Sequence, residues 1–233
     1  MNIALLGYGR MGKEIEKIAL QRGHTIIHKI SNDIESYDFS NVDVAIDFSI
    51  PTAAYNNISH CITHQIPVIS GTTGWLDRYD EIVSLCKKQK GAFIYASNFS
   101  LGVNIFFEMN AYLAKMMSQL EDYKVSIEEI HHTKKLDAPS GTAITLAEGI
   151  IENTTYTDWK LDEAQKTSEI PIVAKRIPEV PGIHEITYSS PIDTIRIQHE
   201  AHNRQGFALG AVVATEWIQG KQGVFTMKDV LNI

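Results

Sequence analysis

Within residues 131–142 the chain carries two adjacent imidazoles (His131, His132), a lysine (Lys135) and the small-residue run Ser140-Gly141-Thr142. Those types can hold a dianionic small molecule and hand it a proton. The periodicity predicts a strand over Lys124 to Ile130 and a polar loop. A helix then begins near Pro139 and runs through Ala143, Leu146, Ala147 and Ile150. Proline in a first helical turn loses no hydrogen bond, and Ser140, Gly141 and Thr142 would present backbone N–H groups there. An anion at such a start gains about 0.3–1 kcal/mol from the dipole alone. Adjacent strand residues point to opposite faces, so one of His131 and His132 can pack while the other works. Asp137, Glu128 and Glu129 read as helix-capping and solvated-face carboxylates. No metal site is expected. The two histidines cannot readily share one ion on an extended strand, and no H-E-x-x-H or cysteine partner accompanies them.

Other elements must supply a redox partner. Ile3 to Leu6 is a short apolar run, followed by Gly7-Tyr8-Gly9-Arg10-Met11-Gly12, a helical pattern ending at Gly23, and a second strand over Thr25 to Ile30. Strand, glycine turn, helix and strand form the context in which G-x-G-x-x-G means dinucleotide. The first glycine allows the tight turn, the second lets backbone approach the pyrophosphate, and the third lets helix and strand pack. An acidic residue that grips the adenosine ribose should follow the second strand; Ser31, Asn32 and Asp33 are the candidates, and Lys29 could assist a 2′-phosphate. Strands over Val42 to Phe48, Pro67 to Ser70 and Ala92 to Tyr95 alternate with helices around Ala53–His64 and Tyr79–Lys90. That alternation implies a mostly parallel sheet with ligands beyond the strand C-termini. Gly71, Thr72 and Thr73 could then line the nicotinamide ribose, and Asn98 in the run Ala96-Ser97-Asn98-Phe99 could bond the carboxamide. Glu185–Tyr188 and Thr194–His199 alternate as half-exposed antiparallel strands whose far face suits another subunit.

Composition bounds the rest. The chain has 233 residues, a net charge of -7 and 44% hydrophobic residues, enough for one large domain or two modest ones. Its charge repels nucleic acid, and Lys87-Lys88-Gln89-Lys90 reads as a solvated helix end. Cys61 and Cys86 lie in helical patterns without C-x-x-C spacing and read as reduced and structural. The first residues enter a strand directly, without signal-peptide character, and no apolar run reaches the ~20 residues of a membrane span. A soluble cytoplasmic protein is expected.

Several strings together resemble the 4-hydroxy-tetrahydrodipicolinate reductase (dihydrodipicolinate reductase) family of the bacterial diaminopimelate–lysine pathway. They are Gly9-Arg10-Met11-Gly12, Asp47-Phe48-Ser49, Gly71-Thr72-Thr73-Gly74, Asn98 to Asn104, and above all His-His-x-x-Lys-x-Asp-Ala-Pro-Ser-Gly-Thr from His131 to Thr142. Gly182-Ile183-His184, His199 to Arg204 with Phe207, and Gly220 to Met227 extend the likeness over nearly the whole chain. The resemblance implies an α/β fold: a Rossmann-like dinucleotide-binding domain over residues 1–102 and 208–233, and an α/β substrate and oligomerisation domain with an open mixed sheet over 103–207. By the same resemblance His131 is the catalytic acid/base position and Lys135 the proton donor. His132, Ser140, Gly141 and Thr142 take substrate-binding positions. Gly7, Tyr8, Gly9, Arg10, Met11, Gly12, Gly71, Thr72, Thr73, Ala96, Ser97, Asn98 and Phe99 take cofactor-binding ones, and Arg204 and Phe207 belong to a segment that approaches the cofactor. NADPH and/or NADH, a dicarboxylate cyclic imine substrate and a homotetramer are implied. The chain departs from the family in a glycine loop one residue shorter and in a trimmed stretch between Ile30 and Val42.

Such a reaction places a hydride on a carbon conjugated to an imine and then adds a proton. Gly141 and Thr142 would clamp one carboxylate, while His132 and Lys135 offset the remaining charge. A free lysine, with a pKa of ~10.4, arrives protonated. Either Lys135 or His131 could donate. Two other functions fit a two-domain Rossmann protein. An amino-acid semialdehyde dehydrogenase of the phosphorylating kind needs a nucleophilic cysteine, and a redox-sensing dinucleotide binder needs a partner-binding module.

Overall fold

The computed structural model describes residues 1–31, 33–203 and 205–233. Two expected contacts, Asn32 at the ribose and Arg204 near the cofactor, lie outside the described residues. The chain divides into two compact units, Met1–Leu101 with Gln205–Ile233, and Gly102–Arg204.

The first unit begins with β1 (Asn2–Leu6), α1 (Arg10–Gln21), β2 (Thr25–Ile30), β3 (Val44–Asp47), α2 (Pro51–Thr63), β4 (Val68–Ser70), α3 (Tyr79–Gln89) and β5 (Ala92–Tyr95). The second comprises nearly all of α4 (Leu101–Met117), then β6 (Lys124–His131), α5 (Gly141–Ile151), β7 (Asp158–Leu161), β8 (Glu169–Arg176), β9 (Gly182–Ser189) and β10 (Thr194–Ala201). The chain then returns to the first unit as α6 (Gln205–Ile218), β11 (Gly223–Phe225) and α7 (Met227–Leu231). Among the described residues between β2 and β3 there is one 3₁₀ turn, at Ile34–Ser36, and no strand–helix unit.

In the first unit a parallel six-stranded sheet runs β11-β5-β4-β3-β1-β2. Its central strands β1, β3, β4 and β5 are largely apolar because helices cover both faces, while the edge strand β2 carries Thr25, His28 and Lys29. Ile3, Leu5, Val44 and Ile46 pack with Ile15 and Ile18 of α1 and Val212 of α6. Ala4, Leu6, Ala45 and Val68 face the other way, onto Ile58 and Ile62 of α2 and Ile82 of α3. Alternate residues of one strand thus feed two cores. Strand order reverses between β1 and β3, and there the strand C-termini open a crevice for a ligand.

The second unit holds a mixed five-stranded sheet, β10-β9-β6-β8-β7. β6 pairs antiparallel with β9 and parallel with β8. Helices α4 and α5 cover one face, where Val125, Ile127, Ile172 and Ile186 meet Leu146, Ala147 and Ile150. The burial of β6 therefore alternates strictly, and the second face is only half-buried. This asymmetry leaves one side of β6 for a core and its last residues for chemistry.

Candidate active site

Two residues before the end of β6, apolar side chains on the buried face give way to Glu129 and then His131. Strand periodicity puts both beside Val125 and Ile127. Glu129 is 0% exposed. Reading it as part of a solvated face is thereby corrected, because its parity on the strand points it inward, under α5. Glu128 takes the half-buried face and pairs with Lys175 at 2.6 Å.

The Glu129 carboxylate collects its partners from four elements. Ser140 donates its backbone N–H to both oxygens at 3.1 Å. Arg176 at the end of β8 donates from Nη2 at 3.2 Å. His131 Nδ1 lies 3.5 Å away and His184 Nε2, from β9, 3.6 Å. Burial alone would raise the Glu129 carboxyl, but His184, the Ser140 donors and the charge of His131 hold it at about 2. His131 is pushed down to about 4, by desolvation first and by His184 second, with Glu129 working against both. At neutral pH the site therefore holds a carboxylate beside a neutral His131 imidazole. The His131 and His184 rings meet edge-on at 5.0 Å. A Cβ on Gly182 would lie 3.1 Å from His131 Nε2, so the glycine leaves room for that ring.

The helix start differs from expectation. Pro139 precedes the helix; Ser140 is the N-cap of α5, and its Oγ accepts from Ala143 N–H at 3.2 Å. Serine is a strong cap because its oxygen satisfies a donor that has no intrahelical partner. Ser140 also lies 3.2 Å from His184 Nε2. Its N–H and hydroxyl are thus both engaged within the protein, which leaves the exposed Gly141 and the half-buried Thr142 as the outward part of the tip. Asp137 is likewise no helix cap: it holds the Lys135 ammonium through both oxygens, at 2.7 and 2.8 Å. Burial works to raise the Asp137 carboxyl, yet the lysine holds it below its usual range. Arg176 ties this loop down by donating to the Asp137 carbonyl at 2.6 Å. His132 is half-buried, its Nδ1 enclosed without a hydrogen-bond partner. Sequence reasoning gave Glu129 only a solvated role and His184 only a place in a resembling string, and it did not name Arg176. The inward parity of Glu129 was the available signal; Arg176 had none, since only strand pairing brings β8 alongside β6.

In the first unit the glycine turn sits at the switch point. Gly7 has φ +92°, and a Cβ there would lie 2.2 Å from the Phe48 carbonyl oxygen; at Gly12 it would lie 2.4 Å from Gly7 O. Gly9 by contrast has open space around its would-be Cβ, as backbone approach to a pyrophosphate requires. The start of α1 has no side-chain cap and no acidic residue in its first turn, so its N–H groups suit a phosphate. Gly7, Tyr8, Gly9, Ser31, Phe48 and Ser49 help to line a cleft of about 270 Å³. Ser31 thus faces the cleft, whereas Asp33 caps the 3₁₀ turn by accepting from Glu35 N–H at 3.1 Å. Lys29 is paired with Glu16 at 2.6 Å, and Tyr8 hydrogen-bonds the same carboxylate.

The remaining cofactor candidates divide between surface and core. Arg10, Thr73 and Ser97 are exposed, Gly71 and Ala96 half-buried. Met11 and Phe99 pack into the core, Phe99 against Phe48 at 5.7 Å between centroids. Asn98 Oδ1 accepts from Ser100 N–H at 2.8 Å, which anchors the turn after β5. Thr72 serves a buried hub. Asp47, 0% exposed, accepts from Ser49, Asn57, Ser70 and Thr72 side chains at 2.6–3.1 Å. Cys61 and Cys86 are buried, and desolvation pushes both thiols up.

A parallel sheet with a glycine turn and an uncapped helix start at its switch point defines a dinucleotide-binding protein of the Rossmann type. Comparison with known proteins narrows that class. Residues 1–99 match the family described as "Dihydrodipicolinate reductase, N-terminus", and residues 102–231 its C-terminus. The chain is 62% identical to a 4-hydroxy-tetrahydrodipicolinate reductase of Christiangramia forsetii, over 100% of this chain and 98% of the relative. It is 35% identical to one of Thermosipho africanus over the same shares. A dipicolinate-bound dihydrodipicolinate reductase from Paenisporosarcina sp. TG-14 has the same fold, with a TM-score of 0.76, 22% identity and 97% of each chain covered. The chain belongs to the dihydrodipicolinate reductase family.

Proposed function

We propose that this chain reduces 4-hydroxy-tetrahydrodipicolinate to tetrahydrodipicolinate with NADH or NADPH, as a step of diaminopimelate/lysine biosynthesis. The full-length family match, with the His131–Thr142 string intact, carries that reading. The semialdehyde alternative lacks its cysteine, and all the described segments belong to the two units. A cytoplasmic homotetramer joined through the half-buried face of the mixed sheet accords with such a role.

Overall, one hydride and one proton enter and one water leaves. Bound nicotinamide supplies the hydride; the chain supplies placement, charge and the proton. Gly141 and Thr142 at the tip of α5 receive one carboxylate, and His132 and Lys135 balance the other charge. The Lys135 ammonium, held through both oxygens of Asp137, is taken as the proton donor and His131 as a polar partner of the substrate. Asp137 holds that ammonium in place until a substrate carboxylate competes for it. At the cofactor, Gly7 to Gly12 and the start of α1 hold the pyrophosphate, and the loops at Gly71–Thr73 and Ala96–Phe99 frame the nicotinamide half. Both cofactors are expected to serve. Asp33 is turned into its own 3₁₀ turn and does not repel a 2′-phosphate, while Lys29 is neutralised by Glu16 and does not demand one.

The test couples the purified chain to aspartate semialdehyde, pyruvate and the upstream synthase, and follows nicotinamide absorbance with each cofactor. Steady oxidation dependent on all components is expected, with Michaelis constants for NADH and NADPH within tenfold. No absorbance loss beyond controls refutes the reaction; a larger ratio refutes dual use.

A further inference from the structure

We propose that Glu129 is a positioning residue of this reaction: its buried carboxylate fixes the tautomer and orientation of His131 and pins the start of α5 beside it. The proposal rests on the reductase reading above. The carboxylate is wholly enclosed, yet a backbone N–H, a guanidinium and two imidazoles lie against it. A buried charge survives only where partners replace water. Here Ser140 from the α5 cap, Arg176 from β8, His184 from β9 and His131 from its own strand do so. Lys135 also acts on His131 from the loop, with Asp137 paired to it.

His131 Nδ1 is buried and has no hydrogen-bond partner, and Glu129 stands 3.5 Å from it. Catalytic contacts are often long before substrate binds. A neutral imidazole beside an anion places its proton on the nitrogen facing that anion, which leaves Nε2 as the acceptor. The same carboxylate reaches Ser140 N–H, so one group sets both the imidazole and the helix tip that presents Gly141 and Thr142. Arg176 bridges it to the Asp137 carbonyl and so to the lysine loop. Glu129, His131 and His184 would also suit a cation, their ligand atoms all lying within 4.8 Å of one another. Arg176 and the Ser140 donor occupy the carboxylate and favour the positioning role.

Glu129→Gln keeps the shape and an acceptor for Ser140 while removing the charge. Its kcat is expected to fall about 10–100-fold, as when a group that orients a working histidine is lost. Cofactor Kd stays unchanged, the acid limb of the kcat–pH profile moves to lower pH, and Glu129→Asp recovers part of the loss. In ¹⁵N-histidine-labelled protein, wild-type His131 reads as the Nδ1–H tautomer and the Gln variant loses that preference. Glu128→Gln, on the opposite face of the strand, leaves kcat within twofold. The proposal fails if Glu129→Gln retains full kcat, if its melting temperature falls while the tautomer and pH profile stay put, or if calorimetry shows one Zn²⁺ bound at this trio in wild type and lost in the variant. The tautomer measurement needs no turnover. An inactive wild type therefore removes the reductase reading while the spectrum still decides the tautomer claim.

Discussion

Asp47 and Glu129 are both wholly buried carboxylates near the C-terminal end of a strand, one in each unit. Their surroundings are opposite in kind. Asp47 accepts from three hydroxyls and one amide, all uncharged, and desolvation raises its pKa despite those bonds. Glu129 sits among a guanidinium, two imidazoles and a backbone N–H, and stays ionised. The first arrangement ties the end of β3 and its following loop to β4, the loop after β4 and helix α2. The second keeps a negative charge beside His131 and the loop that carries Lys135. Donor type, not depth of burial, separates the two carboxylates.

The largest effect that would sharpen this contrast belongs to the lysine loop beside Glu129. Lys135→Ala should lower kcat by about 10²–10⁴-fold, the usual worth of a general acid, with cofactor Kd by fluorescence titration unaltered. A loss under tenfold would pass the proton to His131 or to solvent. On the Asp47 side the expected loss is in stability. Asp47→Ala strands four donors, each costing about 1–3 kcal/mol if left unpaired, so a total of at least ~4 kcal/mol is expected. At ~2–4 °C per kcal/mol for a chain of this size, thermal melts should drop by about 8–16 °C. Asp47→Asn keeps an acceptor and should cost about a third of that; an equal cost for the two variants would mean that the negative charge itself matters.

The two carboxylate sites also respond to pH with opposite sign. His131 is depressed from 6.5 to about 4, so its contribution is intact above 6.5 and is lost as pH falls toward 4. The slope there is at most about 1.4 kcal/mol per pH unit. Glu129 adds loss in the same direction between 4.5 and about 2. Asp47, raised above 3.8, contributes stability that is present at low pH and fades as pH rises through its folded value. Urea unfolding from pH 4 to 7 should show stability climbing with pH, and His131→Gln should flatten that climb. An unchanged slope would remove His131 as its source. The smallest effect is assigned to Asp137, whose carboxylate is 59% exposed. Asp137→Asn should shift stability by less than about 1 kcal/mol, as for other exposed ion pairs.

Much of this was legible in one dimension. The glycine turn between two apolar strands, the alternation of strands and helices, and the small-residue tip of α5 are local patterns with local physical causes. The start of α5 was misplaced at Pro139 because a serine cap and a first-turn proline look alike in sequence. The solvated reading of Glu129 took residue type over strand parity; Val125, Ile127 and His131 on the same face pointed inward.

Residue types and short spacings determined the class of fold, the dinucleotide turn and the His131–Thr142 string, since each depends on neighbours within one or two elements. Only tertiary structure decided that Arg176 of β8 and His184 of β9 converge on Glu129, and that Asp47 gathers Ser49, Asn57, Ser70 and Thr72. Those partners lie as far as 55 residues apart along the chain, between Glu129 and His184. Sheet pairing and the exclusion of water bring them together, and no local periodicity encodes either.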